Sequence, residues 1–144
     1  MSFWERNTIV LAVGTLIGGV FYFSIVTWQS VAAGSLVAPS LAVWLGYIVL
    51  QFCVSMLGTW PGARKLKADL ENKAPHAGDE RDRLIRMKAE SVQGHAMSAL
   101  IFACMAAWFL HSSAALLFHS LVAALIVSEL ARAGWQVFNY NRAI

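Results

Sequence analysis

The chain has 144 residues, of which 58% are hydrophobic and only 13% charged. A soluble domain carries roughly 25% charged residues, so this balance excludes an ordinary water-soluble domain and points to an integral membrane protein. The net charge of +3 would suit nucleic acid or an acidic surface, but the basic residues are confined to a few places and report topology instead. The length leaves no room for a second domain beside the spans.

A helical span needs about 20 mostly apolar residues, and four segments qualify. The first is TIVLAVGTLIGGVFYFSIVTW, from Thr8 to Trp28. Its apolar run is longer than the roughly 7–15 residues of a secretory signal core, so it is expected to stay in the membrane as a span. Within it Gly14 and Gly18 form a small-xxx-small motif, which lets two helix backbones approach closely.

The second span, Leu41 to Trp60, carries Gln51 near its middle. An amide in hydrocarbon needs a partner. A hairpin between the first two spans sets Gln51 level with Gly18, so the Thr15 hydroxyl or a carbonyl beside Gly18 is expected to supply one. Pro61-Gly62 is expected to end this span, and Ala63–Ala74 to form a short helix along the membrane surface. Its Arg64, Lys65 and Lys67 would suit anionic headgroups, but an ordinary positive-inside flank is the preferred reading.

The loop expected over 61–91 carries most of the basic residues and ends in the charged segment from Asp79 to Glu90. Asp79 suits a helix N-cap. Asp79 with Arg83, Asp82 with Arg86, and Arg86 with Glu90 are spaced i,i+4, as in a solvated helix. No breaker separates them from the third span, about Val92–Leu110. One continuous helix of about 33 residues and some 50 Å is therefore predicted, its lower turns outside the bilayer. The fourth span, about Ala114–Ala133, follows the short connection HSSA.

The connections QSVAAGSLVAPS and HSSA carry no Lys or Arg, whereas Arg6, the 61–91 loop, Arg132 and Arg142 do. The positive-inside rule then places both termini and that loop in the cytoplasm. Trp4, Trp28, Trp44, Trp60 and Trp135 sit at span ends, as an aromatic belt requires. The fold expected is an all-α integral membrane bundle of four transmembrane helices, with the third extended into the cytoplasm.

DERDRLI at Asp79–Ile85 and SELARAGWQVFNYNR at Ser128–Arg142 together resemble a family of small, four-helix bacterial inner-membrane proteins known only as a domain of unknown function. Asp79, Glu80, Arg81, Asp82 and Ile85 match its first element. Glu129, Arg132, Tyr140 and Arg142 match its second. Asn141 departs from it, where the family has a basic residue, as do His95 and Ser98, where aromatics are commoner. The resemblance implies this fold and an inner-membrane address, and brings no activity with it.

Polar groups inside a membrane are where function is sought. The HSSA turn makes the last two spans an antiparallel hairpin, which sets His95 level with Glu129 and Gln93 level with Arg132. Ser91, His95 and Ser98 share one face of the third helix, and Glu129 and Arg132 share a face of the fourth. A cluster of Ser91, Gln93, His95, Glu129 and Arg132 is expected where these faces meet, acting either as a hydrogen-bonded lock between helices or as a titratable, ligand-responsive site. The lock is preferred.

His111 and His119 differ in depth too much to clamp a haem between them and lack a third metal ligand, so no cofactor or metal is expected. Cys53 and Cys104 read as buried thiols at different depths, not as a disulfide. The charged surface of Asp79, Glu80, Arg81, Asp82, Arg83 and Arg86 is the candidate partner surface, and Gly14, Gly18 and Gln51 are the candidate packing set.

No nucleophile elbow, phosphate loop or paired catalytic carboxylates occur in the sequence. The expected role is non-enzymatic: an accessory, structural or regulatory protein working through helix packing and its charged cytoplasmic segment. Its partners are the bilayer and a membrane protein or a second copy, with no nucleic acid. The alternative is a small oligomeric transporter or an ion or proton channel using His95, Glu129 and Arg132. Four-helix drug exporters of this size carry an acid well inside the first helix, and Thr8–Trp28 has none.

Overall fold

Among the described residues the chain forms four α-helices: α1 (Phe3–Ala33), α2 (Leu41–Glu71), α3 (Glu80–His111) and α4 (Ala114–Asn141). The computed structural model describes the backbone over 3–71 and 80–142, and the side chains over 7–56, 80–140 and 142. No strand occurs among the described residues. Within them α1, α3 and α4 are long and apolar enough to cross a membrane, and α2 has the shorter apolar stretch Leu41–Met56.

Local chemistry sets most of the helix ends. α1 stops at Gly34, whose φ of +66° is the left-handed conformation that glycine adopts without a Cβ penalty. Ser40 caps α2, with its Oγ accepting from the Val43 N–H at 3.4 Å and its carbonyl from Trp44 at 3.1 Å. Ser113 caps α4, accepting from the Leu116 N–H at 3.3 Å. Ser112 makes the reversal between α3 and α4 at a φ of 50°.

α3 runs unbroken from Glu80 to His111, so the charged segment and the third span are one helix, as the absence of a breaker predicts. Arg86 and Glu90 pair at 3.8 Å. The expected N-cap and pairing of Asp79 lie outside the described residues.

One boundary expectation is corrected. Pro61-Gly62 does not end the second helix, since α2 continues through it to Glu71. A proline forfeits one backbone hydrogen bond, a loss that long membrane helices absorb, and the Ala-, Lys-, Arg- and Leu-rich run beyond it favours helix. α4 continues beyond the expected end of the fourth span, Ala133, as one helix to Asn141, so the lower part of α3 does not stand alone.

Among the described residues, α1 packs on α2 and on α4, and α3 packs on α4, but α2 and α3 make at most marginal contact with each other. The helices therefore follow one another round an open arc in the order α2, α1, α4, α3, with a gap between the outer two. The apolar core, Tyr22, Val26, Tyr47, Val122 and Ile126, lies where α1, α2 and α4 meet. α3 buries little of itself: Phe102 and Phe109 are each 72% exposed, an apolar outer surface that suits lipid and not water.

Candidate functional site

The gap between α2 and α3 is a cleft of about 800 Å³, within the range of small-molecule sites. Every helix lines it at its own helical spacing: Leu11 and Thr15 from α1, Tyr47, Ile48, Gln51, Phe52 and Ser55 from α2, Glu90, Gln93, Gly94 and Met97 from α3, and Leu125, Ile126, Ser128 and Glu129 from α4. The walls are mainly apolar, and the polar groups gather at one level.

On one side the Gln51 Nε2 donates to the Thr15 hydroxyl at 2.8 Å. The Gln51 Oε1 is buried without a hydrogen-bond partner and lies against Gly18, where an added Cβ would come within 3.0 Å of it. Gly18 thus leaves room for the amide oxygen over its Cα, a weak C–H···O contact. Gly14 takes the neighbouring close approach, against Val54. The packing set of Gly14, Gly18 and Gln51 is one contact surface between α1 and α2.

Across the cleft the Gln93 Nε2 donates to Glu129 Oε2 at 2.7 Å. Arg132 donates to Glu129 Oε1 through Nη2 and, at 3.1 Å, through Nε. Both carboxylate oxygens are therefore used, one to join α3 to α4 and one to hold a cation on α4. The Arg132 and Glu129 side chains are 15% and 23% exposed, so the pair is only partly shielded from its surroundings. Ser128, one residue before Glu129, is buried and lies 3.6 Å from Met97 Sδ through its hydroxyl.

His95 takes no part in this cluster, contrary to expectation. Its Nδ1 donates to the Ser91 carbonyl of its own helix at 2.7 Å, and Ser91, His95 and Ser98 all lie on an exposed face of α3. Gln93 and His95 stand two residues apart, about 200° round a helix of 3.6 residues per turn, so only one can face α4. Cys53 corrects a second expectation. It lies exposed on the outside of α2, whereas Cys104 is buried, and both thiols are free.

Of the candidate partner surface, Glu80, Arg81 and Arg83 are exposed, Asp82 and Arg86 are half-buried, and Asp79 lies outside the described residues. His111 is exposed at the end of α3. No group of three metal-ligating side chains converges among the described residues.

Sequence reasoning missed the bond network of His119. Its Nε2 donates to the Val37 carbonyl at 2.9 Å, which leaves Nδ1 of the neutral ring to accept from the Tyr22 hydroxyl at 2.9 Å. Tyr22 is fully buried, and the three residues tie α1, α4 and the α1–α2 connection together. A tyrosine inside an apolar span signals that a partner is needed. Tyr22→Phe should orphan the imidazole Nδ1, cost about 1–3 kcal/mol and speed amide exchange over 34–40, as read by hydrogen-exchange mass spectrometry.

Comparison of the chain with protein-family models, with curated proteins and with solved structures finds no match. The fold and site define an all-helical protein in which, among the described residues, three helices are long and apolar enough to cross a membrane and a cleft between α2 and α3 is lined by apolar and polar side chains.

Proposed function

We propose that this is a multi-pass protein of the bacterial inner membrane, both termini cytoplasmic, that acts without covalent chemistry. It serves as an accessory, structural or regulatory subunit, and its association within the bilayer runs through the α2/α3 cleft. The address and orientation are supported by the confinement of Lys and Arg to one side of the spans and by the resemblance to four-helix inner-membrane proteins of unknown function.

One observation carries the reading. Helices α2 and α3 leave an open cleft, and hydrogen-bonding groups from all four helices line it. A bundle whose only task was to fold would gain by closing over apolar side chains. An open cleft with a polar floor suits a group that arrives within the membrane, with Gln93 and Glu129 orienting it.

A second reading, the small oligomeric transporter or ion or proton channel, is favoured by one specific feature: Glu129 lines the open cleft and is not sealed between helices. Without His95, it narrows to Glu129, Gln93 and Arg132.

Gly94 separates cleft function from folding. It lines the cleft, and a Cβ there meets nothing within 4 Å. Gly94→Ala should hold stability or raise it by up to about 1 kcal/mol, and Gly94→Trp should fill the cleft while leaving the helices in place. The test is purification from native membranes beside flux assays in liposomes. Loss of a bound partner in Gly94→Trp, with no flux from the wild type, supports the accessory reading. Flux abolished by Glu129→Gln replaces it with the transporter, and retention of every partner by a folded Gly94→Trp contradicts a role for the cleft.

A further inference from the structure

A second groove, of about 510 Å³, lies lower on the α3–α4 pair, away from the cleft. Among the described residues its lining includes Arg81, Lys88 and Arg142 with one carboxylate, Glu80, and the apolar surfaces of Leu84, Ile85 and Trp135. The register that joins Gln93 to Glu129 and Met97 to Ser128 sets Lys88 level with Trp135 and Arg81 level with Arg142. These two levels are about 10 Å apart at 1.5 Å per residue. The Arg142 guanidinium sits over the Phe138 ring, 4.4 Å from its centroid, which steadies it on the flank of α4.

The groove straddles the place where the apolar part of both helices gives way to charge. Trp135, 40% exposed, is the residue type that settles at a membrane–water boundary. Leu84 is 53% exposed in an otherwise charged stretch, an arrangement that water alone does not favour and an acyl chain does. Basic pockets between helices at this depth recognise anionic headgroups. A soluble anion would use the cations but leave the leucine and indole surfaces wet.

We infer that this groove binds one anionic phospholipid, its phosphate held by Arg81, Lys88 and Arg142 and the start of its acyl chains lying against Leu84, Ile85 and Trp135. The inference does not depend on what occupies the cleft. Each basic residue is worth roughly fivefold in affinity for an anionic lipid, so three together are worth on the order of a hundredfold.

The full chain, purified in a neutral detergent, is titrated with phosphatidylglycerol or with phosphatidylcholine of the same chains, and bound lipid is read by native mass spectrometry. Phosphatidylglycerol should bind at one site and phosphatidylcholine much more weakly. Combined Arg81→Gln, Lys88→Gln and Arg142→Gln should lose on the order of a hundredfold. The control Arg83→Gln, an exposed cation of α3 outside the groove, should retain the bound lipid. Should the groove triple fail to fold, Lys88→Gln alone, an exposed position, should weaken binding about fivefold. Equal binding of both lipids, equal loss in the control, no effect of Lys88→Gln, or glycerol phosphate competing as well as the intact lipid would each overturn the inference.

Discussion

Gly14→Leu should separate α1 from α2 and unfold the protein at markedly lower temperature than any other single glycine replacement. A Cβ on Gly14 would fall 1.9 Å from Val54 Cγ1 and 3.1 Å from Val54 Cβ. The first clash could be relieved by rotating Val54, but a helical valine strongly prefers one rotamer, and the second clash involves an atom fixed to the backbone. The helices must therefore move apart, and the remaining leucine atoms drive them further. Overpacking typically costs about 1–3 kcal/mol; this site lies at or above the upper end, because the Gln51–Thr15 hydrogen bond goes as well. Gly19→Ala is the contrast: its nearest neighbour, at 2.9 Å, is Ile126 Cδ1, the free end of a flexible side chain. Thermal unfolding in detergent should rank Gly14→Leu far below Gly19→Ala, and equal losses would contradict the packing described.

Replacing Glu129 should be the most damaging polar change, and the pattern across variants matters more than the single value. Glu129→Ala strands the Arg132 guanidinium and the Gln93 amide together. Removing one partner of a buried pair costs roughly 3–5 kcal/mol, and the partial exposure of this pair lowers the expectation to about 2–3 kcal/mol. Glu129→Gln keeps the shape, and a turned Gln93 amide can accept from the new NH2 while the new carbonyl accepts from Arg132, but the partly shielded guanidinium loses its counter-charge. Adding Arg132→Met should then restore stability relative to Glu129→Gln alone, because it removes the uncompensated cation. Strict additivity of the two changes would show that Glu129 and Arg132 are not coupled.

What the sequence made legible follows from depth, and what it hid follows from azimuth and from non-sequential packing. Two antiparallel helices joined by a short connection hold residues at calculable levels, which is why Gln51 could be matched to Thr15 and the α3–α4 register approximated. Level does not fix the direction in which a side chain points. His95 and Gln93 are almost equally deep, but Gln93 meets Glu129 and His95 turns outward.

The cleft was not legible, because it exists where α2 and α3, although consecutive in the chain, pack little on each other among the described residues. Its stripes were visible in retrospect: Gln51 with Ser55, and Glu90 with Gln93, Gly94 and Met97, repeat at helical spacing on surfaces that no sequential neighbour covers. The pairing of Tyr22 with His119 depends on α1 packing against α4, which no connection length dictates. Pro61 misled because a single proline forfeits one backbone hydrogen bond, and the strong helix formers of Ala63–Leu70 carry the helix on beyond it.

The central claim, that association in the membrane runs through the α2/α3 cleft, is tested most directly by site-specific photo-crosslinking in native membranes. A photoreactive side chain is placed at Gly94 inside the cleft or at Phe109 on the exposed outer surface of α3. The account predicts a discrete adduct of one defined mass from Gly94, suppressed by Phe52→Trp on the opposite wall, and only diffuse lipid labelling from Phe109. The same diffuse lipid labelling from both positions would contradict it.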